Sequence, residues 1–185
     1  VGSMGKTTTA HALDLALTGK GFRHAAWNHG GGLAYILFRT HPWGLPGVFE
    51  VGLTRSGEMI EYARCFRPSI AILTGIGDEH GQNFESLEAK LDEKAQMLIL
   101  RKPDGLALIQ GDDERIRAIR PKIPGAVLTF GFDPSNDIQL GWKSLGMDGS
   151  RITVHYEGRE TTIDCRVWAK HTAYSIGAAV VTARS

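Results

Sequence analysis

The sequence predicts an α/β fold in which helices flank a mostly parallel sheet and a small antiparallel β-hairpin lies near the C-terminus. Helix-like and strand-like segments alternate along most of the chain, which is typical of a parallel sheet. The apolar run at residues 70–73 has no polar alternation, as expected for a central strand that is covered on both faces. Two strand-like segments that flank Gly158 predict the hairpin.

The individual elements follow from the spacing of apolar residues and from turn and capping residues. Helices are predicted at residues 7–17, 33–39, 56–66 and 87–100, as a short helix that begins at 112–114, and from His171 onward. Strands are predicted at residues 24–27, 48–52, 70–73 and 105–110, and at 152–156 and 161–167 in the hairpin. A glycine-rich loop spans residues 28–32.

Composition excludes several classes of protein. The 185 residues are 42% apolar and 22% charged, which is ordinary usage for one globular domain. The 21 Lys and Arg residues balance 20 Asp and Glu residues, so a net charge of +1 predicts no nucleic-acid partner. No apolar stretch approaches the roughly 18 residues of a membrane span. Two distant cysteines, Cys65 and Cys165, suit a reducing cytoplasm.

The run Gly2-Ser3-Met4-Gly5-Lys6-Thr7-Thr8-Thr9 at the start of the chain predicts a phosphate-binding P-loop. Glycines let backbone N–H groups curl around a phosphate, and a helix that begins there adds its positive dipole end. Lys6 would reach the outer phosphates, and the Thr7 hydroxyl would bind Mg²⁺. A Gly-Ser turn before a threonine-capped helix is the structural alternative. The usual pattern begins with a glycine five positions before Gly5, so we expect the natural chain to continue upstream.

Glu50 lies inside an otherwise apolar predicted strand, where a carboxylate is costly unless it has a partner. Ligands of doubly wound sheets gather at the carboxyl ends of the strands, so Glu50 could bind the Mg²⁺ held by Thr7. An edge-strand glutamate facing water is the alternative. His80 follows the strand at 70–73 in a loop that could carry a metal ligand, although a solvated loop histidine is more common.

Lys94 is predicted to point toward the sheet, because Leu87, Leu91, Lys94, Ala95 and Leu98 recur at helical spacing. Lys90 lies nearer the edge of this stripe, and Glu93 points away from it. A buried amine favours its neutral form, which can react with CO₂ to give a carbamate. A lysine that extends past its neighbours to solvent is the alternative.

These residues belong to a series of motifs that resembles a known family. The motifs are GSMGKTTT at 2–9, NHGGG at 28–32, FEVG at 49–52, SGEMI at 56–60, TGI at 74–76 with His80, FESLE at 84–88 with Lys94, QGDD at 110–113 and HTAYS at 171–175. In this order they resemble the central ATP-binding domain of the Mur ligases. The resemblance is greatest to the branch that adds D-alanyl-D-alanine to the UDP-N-acetylmuramoyl tripeptide.

The resemblance implies ATP, two Mg²⁺ ions and a carbamylated Lys94 as cofactors. Thr7 and Glu50 would hold one ion, and His80 and Lys94 the second; Lys6, His80 and Lys94 would be catalytic. A substrate carboxylate would attack the γ-phosphate to give an acyl phosphate, which an amine would then convert to an amide. The nucleotide would contact the P-loop residues and His171, and Asn28 and His29 would lie in the substrate loop. The partners would be small-molecule substrates, a UDP-linked peptide and an amino acid or dipeptide, and the protein would be a monomer.

The chain departs from the branch in its substrate loop and near the nucleotide. His29 and Ala34 replace an Asn and a Pro, and further departures are Gln96, Gln110, Thr172 and Ser175. A paralogue that makes a different amide is therefore plausible. The family also has a UDP-substrate domain before this one and another domain after it, both absent from residues 1–185, so the fragment alone is expected to be inactive.

Two functions from other classes remain open from the sequence. A degenerate module could bind ATP without catalysis, although it would not need Glu50, His80 and Lys94. A P-loop NTPase could hydrolyse ATP for motion or signalling, but it would place an Asp where this chain has Glu50.

Overall fold

A mixed sheet of six strands lies at the centre of the described chain. The computed structural model describes residues 1–18, 47–77 and 84–184. The strands are adjacent in chain order; the first four are parallel, and the fifth pairs antiparallel with both the fourth and the sixth. They are β1 (Ile70–Leu73), β2 (Leu106–Gln110), β3 (Ala126–Gly131), β4 (Ile138–Ser144), β5 (Ser150–Tyr156) and β6 (Arg159–Cys165).

Helices pack on both faces of the sheet. They are α1 (Lys6–Thr18), α2 (Glu58–Phe66), α3 (Leu87–Ile99), α4 (Glu114–Ala118) and α5 (Thr172–Thr182), with short 3-10 helices at Arg120–Lys122 and Gly146–Asp148. Local capping fixes two of the starts: Ser86 Oγ accepts from the Ala89 N–H at 3.1 Å before α3, and Asp113 Oδ1 accepts from the Arg115 N–H at 3.0 Å before α4.

Two apolar cores lie on opposite faces of the sheet, because successive side chains of a strand point to opposite sides. In β2, Ala107 and Ile109 pack with α2, α3 and α4, whereas Leu108 packs with Phe130 and with α5. The apolar run of β1 divides in the same way, with Ala71 and Leu73 in the first core. The prediction of a strand covered on both faces is therefore confirmed.

The predicted helices and strands agree with the structure at most described positions, including the hairpin of β5 and β6. The strand predicted at residues 48–52 is wrong: residues 47–53 have no regular secondary structure, because a strand needs a hydrogen-bonded neighbour and not only apolar residues. The elements predicted at 24–27, 28–32 and 33–39 lie outside the described residues. None of the helices in the described ranges could cross a membrane.

Glu93 joins two of the helices. The sequence places it away from the sheet-facing stripe of α3, and in the structure its Oε1 atom accepts from the N–H groups of Gly57 and Met59 at 2.9 and 3.0 Å. These donors belong to the start of α2, where backbone N–H groups have no acceptor within the helix. The carboxylate therefore caps α2 and fixes α3 beside it, which positions the lysines of α3 described below.

Candidate functional site

The loop that precedes α1 lies against the carboxyl end of β1. The backbone nitrogen of Val1 donates to the Ile72 carbonyl at 2.7 Å, and the Thr74 N–H donates to the Val1 carbonyl at 3.0 Å. The Ser3 N–H then donates to the Gly75 carbonyl at 2.9 Å. The loop, residues 1–5, is thus placed where ligands of parallel α/β sheets bind.

Two glycines let this loop turn where no side chain would fit. Gly2 has φ +142°, and a Cβ there would lie 2.2 Å from Thr74 Oγ1. Gly5 has φ +76°, and a Cβ there would lie 2.8 Å from Ser175 Oγ. Positive φ values are costly for residues other than glycine. The backbone can therefore curl in front of α1 because both positions are glycine.

The first turn of α1 follows the loop directly. Lys6 begins the helix, and its Nζ donates to the Ser3 carbonyl at 3.2 Å. Met4, Thr7 and Thr8 are exposed, whereas the Thr9 hydroxyl donates to the Gly5 carbonyl at 2.8 Å. The first N–H groups of a helix have no intrahelical acceptor and carry its positive dipole end. This combination is suited to an anion.

Glu50 is buried in the irregular segment before α2, with 9% of its surface exposed. Its Oε2 atom has no hydrogen-bond partner in the described part of the chain. A buried carboxylate oxygen is costly without a hydrogen bond or a cation. The residue predicted as a metal ligand is therefore buried as expected, although not in a strand, and a cation would satisfy its open oxygen.

Two lysines of α3 are buried against the same region. Lys94 is 4% exposed, and its Nζ donates to Ser3 Oγ at 3.4 Å, which confirms that it points inward. Lys90, expected nearer the edge of the stripe, is only 2% exposed, and its Nζ donates to the Gly77 carbonyl at 2.5 Å. Ser3 Oγ donates to the same Gly77 carbonyl at 3.1 Å. The loop, the end of β1 and α3 thus share one hydrogen-bonded chain.

Charged groups from three parts of the chain meet beside Val1. Its nitrogen lies within electrostatic range of Lys94, Lys6 and Glu50. The structure therefore places the loop, Lys6, Glu50 and Lys94 in one region. His80, Asn28 and His29 lie outside the described residues. Within the described ranges no three His, Cys, Asp or Glu side chains form a group that could hold a metal ion, so a metal here would need the mixed donors named above.

A separate open cleft of about 520 Å³ lies beyond the end of β2. It is lined by Gln110, Asp112, Asp113, Glu114, Arg115 and Tyr174. Phe132 packs edge-on against Tyr174 with ring centroids 5.1 Å apart, and Lys170 Nζ lies 4.4 Å from the Phe132 centroid. The cleft therefore combines carboxylate, amide and guanidinium groups with the aromatic ring of Tyr174.

Asp112 is the centre of a hydrogen-bond network beside this cleft. Its carboxylate accepts from the Phe132 and Asp133 N–H groups at 2.7 and 3.0 Å, from Asn136 Nδ2 at 2.8 Å and from Tyr174 Oη at 2.8 Å. Burial opposes ionisation, but these bonds outweigh it and hold the pKa of Asp112 below its usual value. Burial, and then the bond to Asp112, raise the pKa of Tyr174.

The start of α5 links the cleft to the N-terminal loop. Tyr174 reaches Asp112, and the next residue, Ser175, donates its hydroxyl to the Gly5 carbonyl at 3.2 Å. His171 is the exposed residue immediately before α5. Sequence reasoning did not identify Tyr174, Asp112 and Asn136 as site residues. The signal available for them was the Gln110-Gly111-Asp112-Asp113 turn at the end of a buried strand.

Comparisons with known proteins cover nearly the whole chain. The sequence profile of the Mur ligase middle domain matches residues 1–183. The UDP-N-acetylmuramoyl-tripeptide--D-alanyl-D-alanine ligase of Bacillus subtilis (strain 168) is 28% identical, covering 97% of this chain and 39% of its own length. The UDP-N-acetylmuramate--L-alanine ligase of Clavibacter michiganensis is 27% identical, covering 96% of this chain and 36% of its own length. The chain thus spans less than two fifths of each relative.

Solved structures agree on the fold. The MurF ligase from Thermotoga maritima in complex with ADP superposes with a TM-score of 0.76 at 21% identity, covering 99% of this chain and 43% of that one. A MurF from Acinetobacter baumannii gives a TM-score of 0.79 at 21% identity, covering 99% and 41%. At this level of identity the likeness concerns the fold alone.

Proposed function

Because the chain belongs to the Mur ligase middle-domain family, we propose that it is the nucleotide-binding part of an ATP-dependent ligase that joins a carboxylate to an amine. The observation that carries the proposal is the N-terminal loop. Its two positive-φ glycines pack against Thr74 and Ser175 and lead directly into α1, beside Lys6 and the buried residues Glu50 and Lys94. A module that only binds nucleotide would not need Glu50 and Lys94.

In this proposal the loop and the start of α1 hold the phosphates of ATP. Backbone N–H groups from Met4 to Thr8 supply the donors, since the Ser3 N–H already donates to the Gly75 carbonyl, and the helix dipole favours the negative charge. Lys6, which contacts the Ser3 carbonyl at 3.2 Å, turns its ammonium to the outer phosphates when they are present. Its charge then offsets the approach of a carboxylate to the triphosphate.

Glu50 and Lys94 fit the two Mg²⁺ ions that the family implies. Thr7 and the open Oε2 of Glu50 would hold one ion, and His80 with a carbamylated Lys94 would hold the other. Bound there, the ions would neutralise charge on the phosphate oxygens. A carbamate requires a neutral amine, and the burial of Lys94 favours that form.

The proposed reaction has two steps. A substrate carboxylate oxygen attacks the γ-phosphorus of ATP, which forms an acyl phosphate and releases ADP. The amine of the second substrate then attacks the acyl carbon, its nitrogen loses one proton to solvent, the carbon–oxygen bond to phosphate breaks, and amide and inorganic phosphate leave. In these steps Lys6 stabilises charge, while the loop and Ser175 keep the triphosphate in line with the carboxylate.

The open cleft beside β2 is proposed to receive the base and ribose of ATP. It is next to α5, and α5 also contacts the phosphate loop through Ser175. Tyr174 and Phe132 offer aromatic surface, and Gln110 offers an amide for the edge of a base. His171, immediately before α5, is proposed to contact the nucleotide from the rim of the cleft.

For the substrates we propose the UDP-N-acetylmuramoyl tripeptide and D-alanyl-D-alanine, with Asn28 and His29 in the substrate loop. The activity for which the Bacillus subtilis relative is named supports this pair. An L-alanine ligase is similar at nearly the same identity, so a paralogue with a different carboxylate and amine is the second candidate. The two distant cysteines suit a reducing cytoplasm as the compartment.

The direct test uses the full-length protein that contains this domain. It is incubated with ATP, Mg²⁺, the UDP-muramoyl tripeptide and D-alanyl-D-alanine, and mass spectrometry is used to detect the pentapeptide product. We expect product with the wild type and none with Lys6→Ala. If ATP binds but no product forms, this substrate pair is wrong and other carboxylates and amines are tested. If ATP is hydrolysed without any acceptor, the ligase proposal itself fails.

A further inference from the structure

Two buried lysines, Lys90 and Lys94, lie on one face of α3. Lys90 and Lys94 are separated by four positions, so their Cβ atoms lie about 5–6 Å apart on the same face of the helix. They are 2% and 4% exposed, and both side chains reach the region of the N-terminal loop and the end of β1. Burial removes both amines from most of their hydration.

Hydrogen bonds fix the position of the Lys90 amine. Its Nζ donates to the Gly77 carbonyl at 2.5 Å, and the same carbonyl accepts from Ser3 Oγ at 3.1 Å. Ser3 Oγ in turn accepts from Lys94 Nζ at 3.4 Å. The two amines therefore lie at opposite ends of a chain of three hydrogen bonds. Lys6 brings a third amine to the same loop through the Ser3 carbonyl.

Modification of Lys94 by CO₂ would place a negative charge near the Lys90 amine. The neutral amine of Lys94 attacks the carbon of CO₂, a nitrogen–carbon bond forms, and one proton leaves the nitrogen for solvent. The product is an anionic carbamate, and no oxidant or reductant is needed. The Lys90 ammonium, one turn earlier in the helix, would attract this carbamate, and the attraction is strong where water is largely excluded.

We propose that Lys90 is a positioning residue whose ammonium stabilises the carbamate of Lys94. This inference rests on the proposed function, because it takes Lys94 as the residue that is carbamylated. Lys90 would act through Lys94 and need not touch substrate. The hydrogen bond to the Gly77 carbonyl holds the Lys90 ammonium in place, and the positive charge of this ammonium stabilises the carbamate.

The experiment measures the carbamate directly, without ATP or metal. Full-length protein is equilibrated with ¹³C-bicarbonate at constant pH, and the carbamate carbon is observed by NMR over a range of bicarbonate concentrations. Lys94→Met assigns the signal. Lys90→Gln removes the charge but can still donate to the Gly77 carbonyl, and Lys90→Arg keeps the charge. The matched control is Lys102→Gln at an exposed lysine. Thermal unfolding shows that each variant is folded.

We expect Lys90→Gln to need at least about tenfold more bicarbonate for half-maximal signal, as expected when a nearby charge is lost at low effective dielectric constant. Lys90→Arg and Lys102→Gln should resemble the wild type. An unchanged signal in folded Lys90→Gln would overturn the proposal, and so would loss of the signal in folded Lys90→Arg. If Lys90→Gln does not fold, the Lys90→Arg result decides.

The same data separate this inference from the proposed function. A wild-type protein that forms the amide product but gives no Lys94-dependent signal would overturn the role of Lys90 and leave the ligase proposal standing. A signal that depends on both lysines, in a protein that forms no product from the proposed substrates, would support the role of Lys90 and refute that choice of substrates.

Discussion

Ser175 donates its hydroxyl to the Gly5 carbonyl at 3.2 Å, although the two residues are 170 positions apart. The same hydroxyl oxygen lies 2.8 Å from the position that a Cβ on Gly5 would occupy. The last helix of the described chain therefore forms one wall of the N-terminal loop. Any side chain at position 5 would move either the loop or α5.

This contact predicts that Gly5→Ala disrupts nucleotide binding beyond its effect on stability. An alanine with positive φ costs about 1–2 kcal/mol, and the added methyl group must also displace Ser175. Gly146→Ala is the matched control, because Gly146 has φ +66° and open space around its missing Cβ. Urea unfolding should show a loss of stability in both variants that is larger for Gly5→Ala, whereas calorimetry should show weaker ADP binding for Gly5→Ala alone. Equal ADP affinities would contradict the account.

Glu50→Gln is predicted to weaken Mg²⁺ binding without destabilising the metal-free protein. The Glu50 Oε2 atom is buried without a hydrogen-bond partner in the described chain, so removing its charge relieves a cost of folding. In the full-length enzyme the Mg²⁺ concentration for half-maximal activity should rise by about tenfold or more, as for loss of a charged ligand. Glu85→Gln, at an exposed position, should change neither quantity. An unchanged Mg²⁺ dependence would remove Glu50 from the metal site.

Lys94→Ala is predicted to abolish turnover in the full-length enzyme. A short carboxylate such as acetate should restore part of the activity, because it can enter the space left by the side chain and replace the carbamate. Lys102→Ala should retain full activity and respond to no carboxylate. Turnover assays over a range of acetate concentrations test this. Unchanged activity of Lys94→Ala would refute the carbamate.

The lowered pKa of Asp112 predicts that the protein loses stability in acid. Its folded pKa lies below the unfolded value of about 3.9, so the unfolded state binds the proton more tightly. The stabilisation is therefore present above about pH 4 and lost as the pH falls through the folded pKa. The free energy of unfolding of Asp112→Asn should be lower than that of the wild type by about 2 kcal/mol near neutral pH. It should also fall less than that of the wild type on acidification. Urea midpoints from pH 7 to 3 measure this, with exposed Asp148→Asn as the control.

Much of the fold could be predicted because its signals are local. The uninterrupted apolar run of β1 and the capping residues before α3 and α4 identify these elements without knowledge of their neighbours. The hairpin likewise follows from its turn at Gly158. The prediction did not identify β3 and β4. Their pairing with β2 and β5 depends on contacts between distant residues, which the pattern of apolar residues does not reveal.

The candidate site could be predicted only where chemistry and spacing coincide. Glu50 stands out as a charged residue in an apolar segment, and Lys94 as a charged residue in an apolar stripe. Lys90 was not distinguished, because its burial depends on the Gly77 carbonyl, 13 positions earlier in the chain. The network of Asp112 and Tyr174 joins residues 62 positions apart and has no local signature.

The most direct test of the central claim follows the oxygen atoms of the substrate carboxylate. The full-length enzyme is given a UDP-muramoyl tripeptide whose terminal carboxylate carries ¹⁸O in both positions, with ATP, Mg²⁺ and D-alanyl-D-alanine. An acyl phosphate transfers one carboxylate oxygen to phosphorus, so the account predicts one ¹⁸O in the released phosphate and one in the new amide. Amide formation with unlabelled phosphate would contradict the account, as would ATP hydrolysis without transfer of label.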